Sequence, residues 1–129
     1  MTQNKIRSRM IIQGIEVNKG LIIDTPWIDL ILDGKKCWEM RSTGTQYRGH
    51  VALIKKGTGN IVGLSVLVDS LPSLPDKELM SFYHNHQVNY AERPDLIKWN
   101  TPWVLNETKR IEPIPYTHPR GAVIWVNLP

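Results

Sequence analysis

The chain is short of several things that would narrow its chemistry. It has one cysteine in 129 residues, Cys37, so no internal disulfide can form and folding needs no oxidising compartment. No apolar run approaches the ~18 residues of a membrane-crossing helix. Near the N-terminus Met10-Ile11-Ile12 is broken at once by Gln13-Gly14, which is not the apolar stretch of a secretory signal. A soluble, cytoplasmic protein with no membrane partner is the expectation. No Gly-x-Gly-x-x-Gly, Walker loop or Gly-x-Ser-x-Gly occurs, and no cofactor is expected. Low-complexity tracts are missing as well. His84 and His86 stand two apart, but no cysteine or carboxylate cluster joins them in a zinc set, so both are read as solvent-facing and no metal is expected.

The composition is that of a single globular domain, 41% hydrophobic and 22% charged. The net charge of +4 is modest, but its placement is uneven. Residues 35–56 hold Lys35, Lys36, Arg41, Arg48, Lys55 and Lys56 against Glu39 alone, a local +5. The other residues hold ten basic and eleven acidic groups. An excess of positive charge confined to one stretch suits a phosphate-bearing partner, and suits equally a solvated strand and loop.

Periodicity gives a coarse architecture. Residues 1–18 read as a basic N-terminal arm (Lys5, Arg7, Arg9) or an edge strand at Met10-Ile11-Ile12, with the domain proper at 19–129. Residues 19–24 form a buried strand. Thr25 suits the N-cap and Pro26 the first position of a two-turn helix with an apolar stripe at Trp27, Leu30 and Ile31, ended by Gly34. Strands are expected at 37–41, 48–55 and 61–69, the last carrying Gly63 as a bulge or a close backbone approach. A short helix spans 76–82, and the polar stretch 84–100 is a loop or lid. A strand at 102–108 is ended by Pro113 and Pro115. The segment 121–128, apolar on both faces, reads as a central strand. Strands in runs with few helices indicate an α+β domain, a small mixed β-barrel of about five or six strands with short flanking helices.

Within 37–41, alternation puts Cys37, Glu39 and Arg41 on one face and Trp38 and Met40 on the other. A face bearing a carboxylate and a guanidinium, entered through two lysines, is a poor core surface. Lys36 beside another cation could serve as base or nucleophile if desolvated, Glu39 could accept a proton or a base N–H, and Arg41 could clamp a phosphate. The same residues could also form a surface ion-pair cluster worth roughly 0–1 kcal/mol, with no ligand. Trp27, Trp99 and Trp103 could be stacking platforms for bases, or core.

Gly34-Lys35-Lys36-Cys37-Trp38-Glu39-Met40-Arg41 resembles the Gly-x-Lys-x-x-Glu-x-Arg signature of ASCH domains, a branch of the PUA-like β-barrels. Thr25-Pro26-Trp27, Tyr47-Arg48-Gly49, Ile61-Val62-Gly63, Trp103-Val104-Leu105 and Gly121 to Trp125 follow in family order, so the resemblance spans roughly 19–127. It implies a small PUA-like barrel with a cleft beside the first helix into which Lys36, Glu39 and Arg41 project. The implied partners are RNA, another single-stranded nucleic acid or a modified nucleoside. Trp27, Lys35, Arg48 and Lys55 would join the three signature residues in contacting the ligand. Some members are hydrolases, so the alternative is a ribonuclease, or an amidohydrolase on a modified nucleoside, with Lys36, Glu39 and Arg41 as catalytic groups. One amidohydrolase branch, acting on acetylated cytidine, carries a nucleophilic threonine where this chain has Glu39, so that hydroxyl is missing here.

Overall fold

The computed structural model describes residues 9–129. Lys5 and Arg7 of the basic arm lie outside the described residues. The chain begins with a small hairpin, β1 (Ile11–Ile12) and β2 (Ile15–Glu16). Gln13 and Gly14 turn it with φ of 51° and 80°, the paired left-handed conformation that matches strand twist in a two-residue hairpin. Ile12 and Val17 are buried in the main core, which ties this segment to the domain.

The body of the fold is one six-stranded sheet in the order β4-β7-β6-β5-β3-β8. Its strands are β3 (Lys19–Ile23), β4 (Trp38–Arg41), β5 (Gly49–Lys55), β6 (Asn60–Ser70), β7 (Thr101–Pro115) and β8 (Trp125–Asn127). Only β3 and β5 run parallel; every other pairing is antiparallel. The helical pieces are short: α1 (Trp27–Leu32), α2 (Asp76–Leu79), α3 (Tyr83–His86), and 3-10 turns at Met80–Phe82 and Pro94–Leu96. The sheet curls into a half-barrel, the expected mixed sheet with short flanking helices. No helix among the described residues is long and apolar enough to cross a membrane.

Both faces of the central strands are buried, which explains their unbroken apolar sequences. Leu21, Ile23, Val51 and Leu53 face α1, where they meet Ile28, Ile31, Leu67, Trp103 and Leu105. Ile22, Ala52 and Ile54 face the other way, against Ile12, Val17, Val126 and Leu128. A third cluster, Met40, Leu79, Val88 and Tyr90, lies beside β4 under the segment that follows β6.

Several elements differ from the sequence-based expectation. Helix α1 begins at Trp27, after a cis Thr25–Pro26 peptide, and no side chain caps it. Its fully buried residues are Ile28 and Ile31, with Trp27 partly buried at the margin, so packing holds it. Gly34 does end the turn, in the left-handed conformation (φ 79°), and the amides of Lys35 and Lys36 both donate to the Leu30 carbonyl as the chain reverses into β4. Gly63 is both a bulge and a close approach: register shifts there, and a Cβ would stand 2.5 Å from Leu32 Cδ2 and 3.0 Å from the Lys109 carbonyl oxygen. Pro113 does not end β7, which runs past residue 108 and through Pro113 to stop at Pro115. Beyond Val104 that strand has β6 alone as a strand partner, and an edge tolerates residues without an N–H. The last strand is an edge of three residues, not a central strand. Its apolar neighbours Val123 and Ile124 are 72% and 42% exposed rather than packed in the sheet.

Candidate functional site

Because the half-barrel does not close, β4 at one edge faces β3 and the segment before β8 across a seam. Arg41 bridges it: its Nη2 donates to the Ile22 carbonyl oxygen at 2.7 Å, tying β4 to β3, a strand it does not pair with in the sheet. A cleft of about 520 Å³ opens along this seam. Trp27, Lys36, Glu39 and Arg41 all line it, as does Trp99, read from the sequence as a stacking platform or core; Tyr90, Lys56 and Arg93, which sequence reasoning did not place in a site, line it too. Lys35, Arg48 and Lys55 do not. Lys35 is exposed beyond Gly34, and Lys55 pairs with Asp29 at 3.3 Å. Arg48 donates to the Thr45 and Tyr47 carbonyls beside a second hollow formed by residues 44–48 and 70–73.

The floor of the cleft is a buried charge cluster. Glu39 is 5% exposed and Lys36 3%. The Glu39 Oε2 atom accepts from Arg41 Nε at 3.1 Å and makes an ion pair with its Nη2 at 2.9 Å. Its Oε1 atom stands 3.8 Å from Lys36 Nζ and accepts no hydrogen bond from the described residues. Lys36 Nζ donates instead to the His86 carbonyl at 2.6 Å and lies 5.3 Å from the Trp27 ring centroid. The Arg41 guanidinium sits 5.4 Å from the Trp103 ring. That ring is core: its indole N–H donates to the Thr43 carbonyl, and it stacks on Trp125. Cys37 is exposed, and the opposite face of β4 packs Trp38 on Phe82.

Burial lowers the Lys36 pKa from 10.5 to about 8; the Arg41 charge pushes the same way, while Glu39 and Cys37 oppose it. Folding therefore releases a proton from Lys36 between these values, and stability should rise as pH climbs from about 8 towards 10.5. Denaturant titrations across that window should show the rise in wild type and lose it in Lys36→Met. Equal slopes in the two proteins would contradict the burial of a charged Lys36.

His86 reverses an expectation: it is fully buried, not solvent-facing. Val88 N–H donates to its Nδ1 at 2.9 Å, so Nε2 carries the proton and donates to the Leu79 carbonyl at 2.6 Å. This ring fixes the segment that supplies Val88 and Tyr90 to the cleft wall. Tyr90 in turn donates its hydroxyl to the Trp99 carbonyl at 2.5 Å, and burial raises its pKa. No sequence signal marks His86, because its partners are backbone groups. His84 is exposed.

The clustered charge of 35–56 is largely paired. Lys36, Arg41, Arg48, Lys55 and Lys56 each have a carboxylate within 4 Å, three of them from aspartates outside that stretch (Asp24, Asp29, Asp69). Four basic and two acidic side chains line the cleft, so it keeps a positive balance.

The family model for the ASCH domain matches residues 21–115. Among solved structures, an ASCH protein from Zymomonas mobilis superposes with a TM-score of 0.65 and 12% identity, covering 86% of this chain and 87% of that one. A serine-to-alanine variant of the same protein gives the same values. A tyrosine-to-phenylalanine variant covers 89% of its own length at the same score. No curated protein matches the chain significantly. At such low identity the likeness to these structures is one of fold, whereas the family match spans most of the sequence: the chain belongs to the ASCH domain family.

Proposed function

We propose that this protein binds single-stranded RNA, or a nucleotide, in the seam cleft. The observation that carries the reading is Glu39 Oε1: a carboxylate oxygen with no hydrogen bond from the described residues, on the floor of a ligand-sized cleft, between two cations. It suits a nucleobase N–H. Lys36 beside it can donate to a neighbouring ring nitrogen or carbonyl, and Trp27 supplies an aromatic wall. A purely structural ion cluster at the seam would be matched or bettered by apolar residues, since desolvating charges is costly. Here the three charged groups line an open cleft. Phosphates would meet Lys56 and Arg93 at the cleft, and Lys35, Arg48 and Lys55 along a longer strand.

Binding of a 5′-labelled single-stranded RNA octamer, followed by anisotropy, should weaken with salt. Each phosphate neutralised adds about −0.7 to the log–log slope, so two would give about −1.4. Absent or salt-insensitive binding would contradict this function. A second reading, a hydrolase acting on RNA or an acylated nucleoside, is favoured by one observation. Lys36, held near pKa 8 beside Glu39, is suited to proton transfer near neutrality. Turnover lost in folded Lys36→Ala and Glu39→Ala variants would establish it, and no turnover by wild type would remove it.

A further inference from the structure

Seven large hydrophobic side chains are exposed among the described residues, and three of them, Trp99, Val123 and Ile124, line this one cleft. The site thus pairs a buried polar floor with an exposed apolar lip. One nucleobase seated on Glu39 would satisfy the floor and leave the lip uncovered.

We infer that the lip is a second subsite, on which a neighbouring base stacks against Trp99, so that the ligand is an oligonucleotide of at least two units rather than a free nucleoside. This rests on the nucleotide-binding reading and specifies its substrate class. Trp99 is 36% exposed, which leaves ring surface for a partner, and its backbone is held to the cleft wall by the Tyr90 hydroxyl. Lys98 Nζ lies over the same ring, 4.4 Å from its centroid. A cation at an aromatic platform is the pairing that single-strand sites use, the ring taking a base and the cation the adjoining phosphate. Val123 and Ile124 add apolar surface without hydrogen-bonding side chains, which suits a base held by its faces and not by its edges. The lip therefore contributes affinity with little sequence preference, and selection stays with Glu39.

The test is displacement of the labelled octamer by nucleoside 5′-monophosphates and by the dinucleotides ApA, CpC, GpG and UpU. A stacked base is worth about 5- to 150-fold in affinity. The best dinucleotide should compete at least about fivefold more strongly than the best mononucleotide. In Trp99→Leu, which keeps bulk but loses the flat ring, that ratio should fall to about one, and Trp99→Phe should retain part of it. Equal competition by mono- and dinucleotides in wild type would overturn the second subsite, whether or not any variant folds. So would a ratio that survives in folded Trp99→Leu. If the octamer and mononucleotides do not bind at all, the nucleotide-binding reading itself fails.

Discussion

Replacing Glu39 by alanine should destabilise the protein by about 3–5 kcal/mol, among the largest effects of any single substitution in the chain. The carboxylate is the counter-charge of both Lys36 and Arg41, and its removal leaves Lys36 buried with only the His86 carbonyl and the Trp27 ring to compensate it. Arg41 retains the Ile22 carbonyl and is 15% exposed at its side chain, so it relaxes more easily. The paired variant Lys36→Met/Glu39→Leu should recover most of the loss, because it removes the unpaired charge together with its partner. Urea denaturation of the two single variants and the double variant yields the coupling directly. A Glu39→Ala protein within about 1 kcal/mol of wild type would mean that the cluster behaves as a solvated surface pair.

His86→Ala should cost about 2–4 kcal/mol and should change the acid side of the stability profile. The substitution leaves a cavity and strips partners from the Val88 amide and the Leu79 carbonyl, which fix the cleft wall. Burial holds the imidazole below its ordinary value, the Lys36 charge adds to this, and the Leu79 hydrogen bond opposes it. The unfolded chain therefore binds a proton near pH 6.5 that the folded chain refuses. This contribution is complete above pH 6.5 and is lost as pH falls below it towards the lowered native value. Denaturation at pH 7.5 and 5.5 should show wild type weakening more steeply than His86→Ala. Parallel losses would show that His86 does not titrate in this way.

The residues that were easiest to read are those whose role is local. The apolar strands β3, β5 and β6, the helix stop at Gly34 and the bulge at Gly63 follow from alternation and backbone chemistry within a few residues. The ordered motifs from Lys36 to Arg41 also pointed to one place, and the fold brings Lys36, Glu39 and Arg41 together there with Trp27. What was not legible depends on distant partners. The +5 of residues 35–56 is offset by Asp24, Asp29 and Asp69, which a linear count assigns elsewhere. His86 looked solvent-facing in a polar stretch, yet its ring is buried on two backbone groups. Val123 and Ile124 read as a central strand because apolar sequence is normally buried, whereas here it lines the lip of a cleft. Pro113 misled in the same way, because an edge is defined by neighbours and not by sequence, whereas the strand does end at Pro115.

The proposed function requires that the Lys36–Glu39–Arg41 cluster recognise a ligand and not act merely as a structural tie across the seam. The Lys36→Met/Glu39→Leu variant separates the two roles, since it removes the recognition groups while keeping a filled floor. Anisotropy with the labelled RNA octamer should show this variant, still cooperatively folded, binding about 30-fold or more weakly than wild type. A folded double variant that binds within about twofold of wild type would contradict the account.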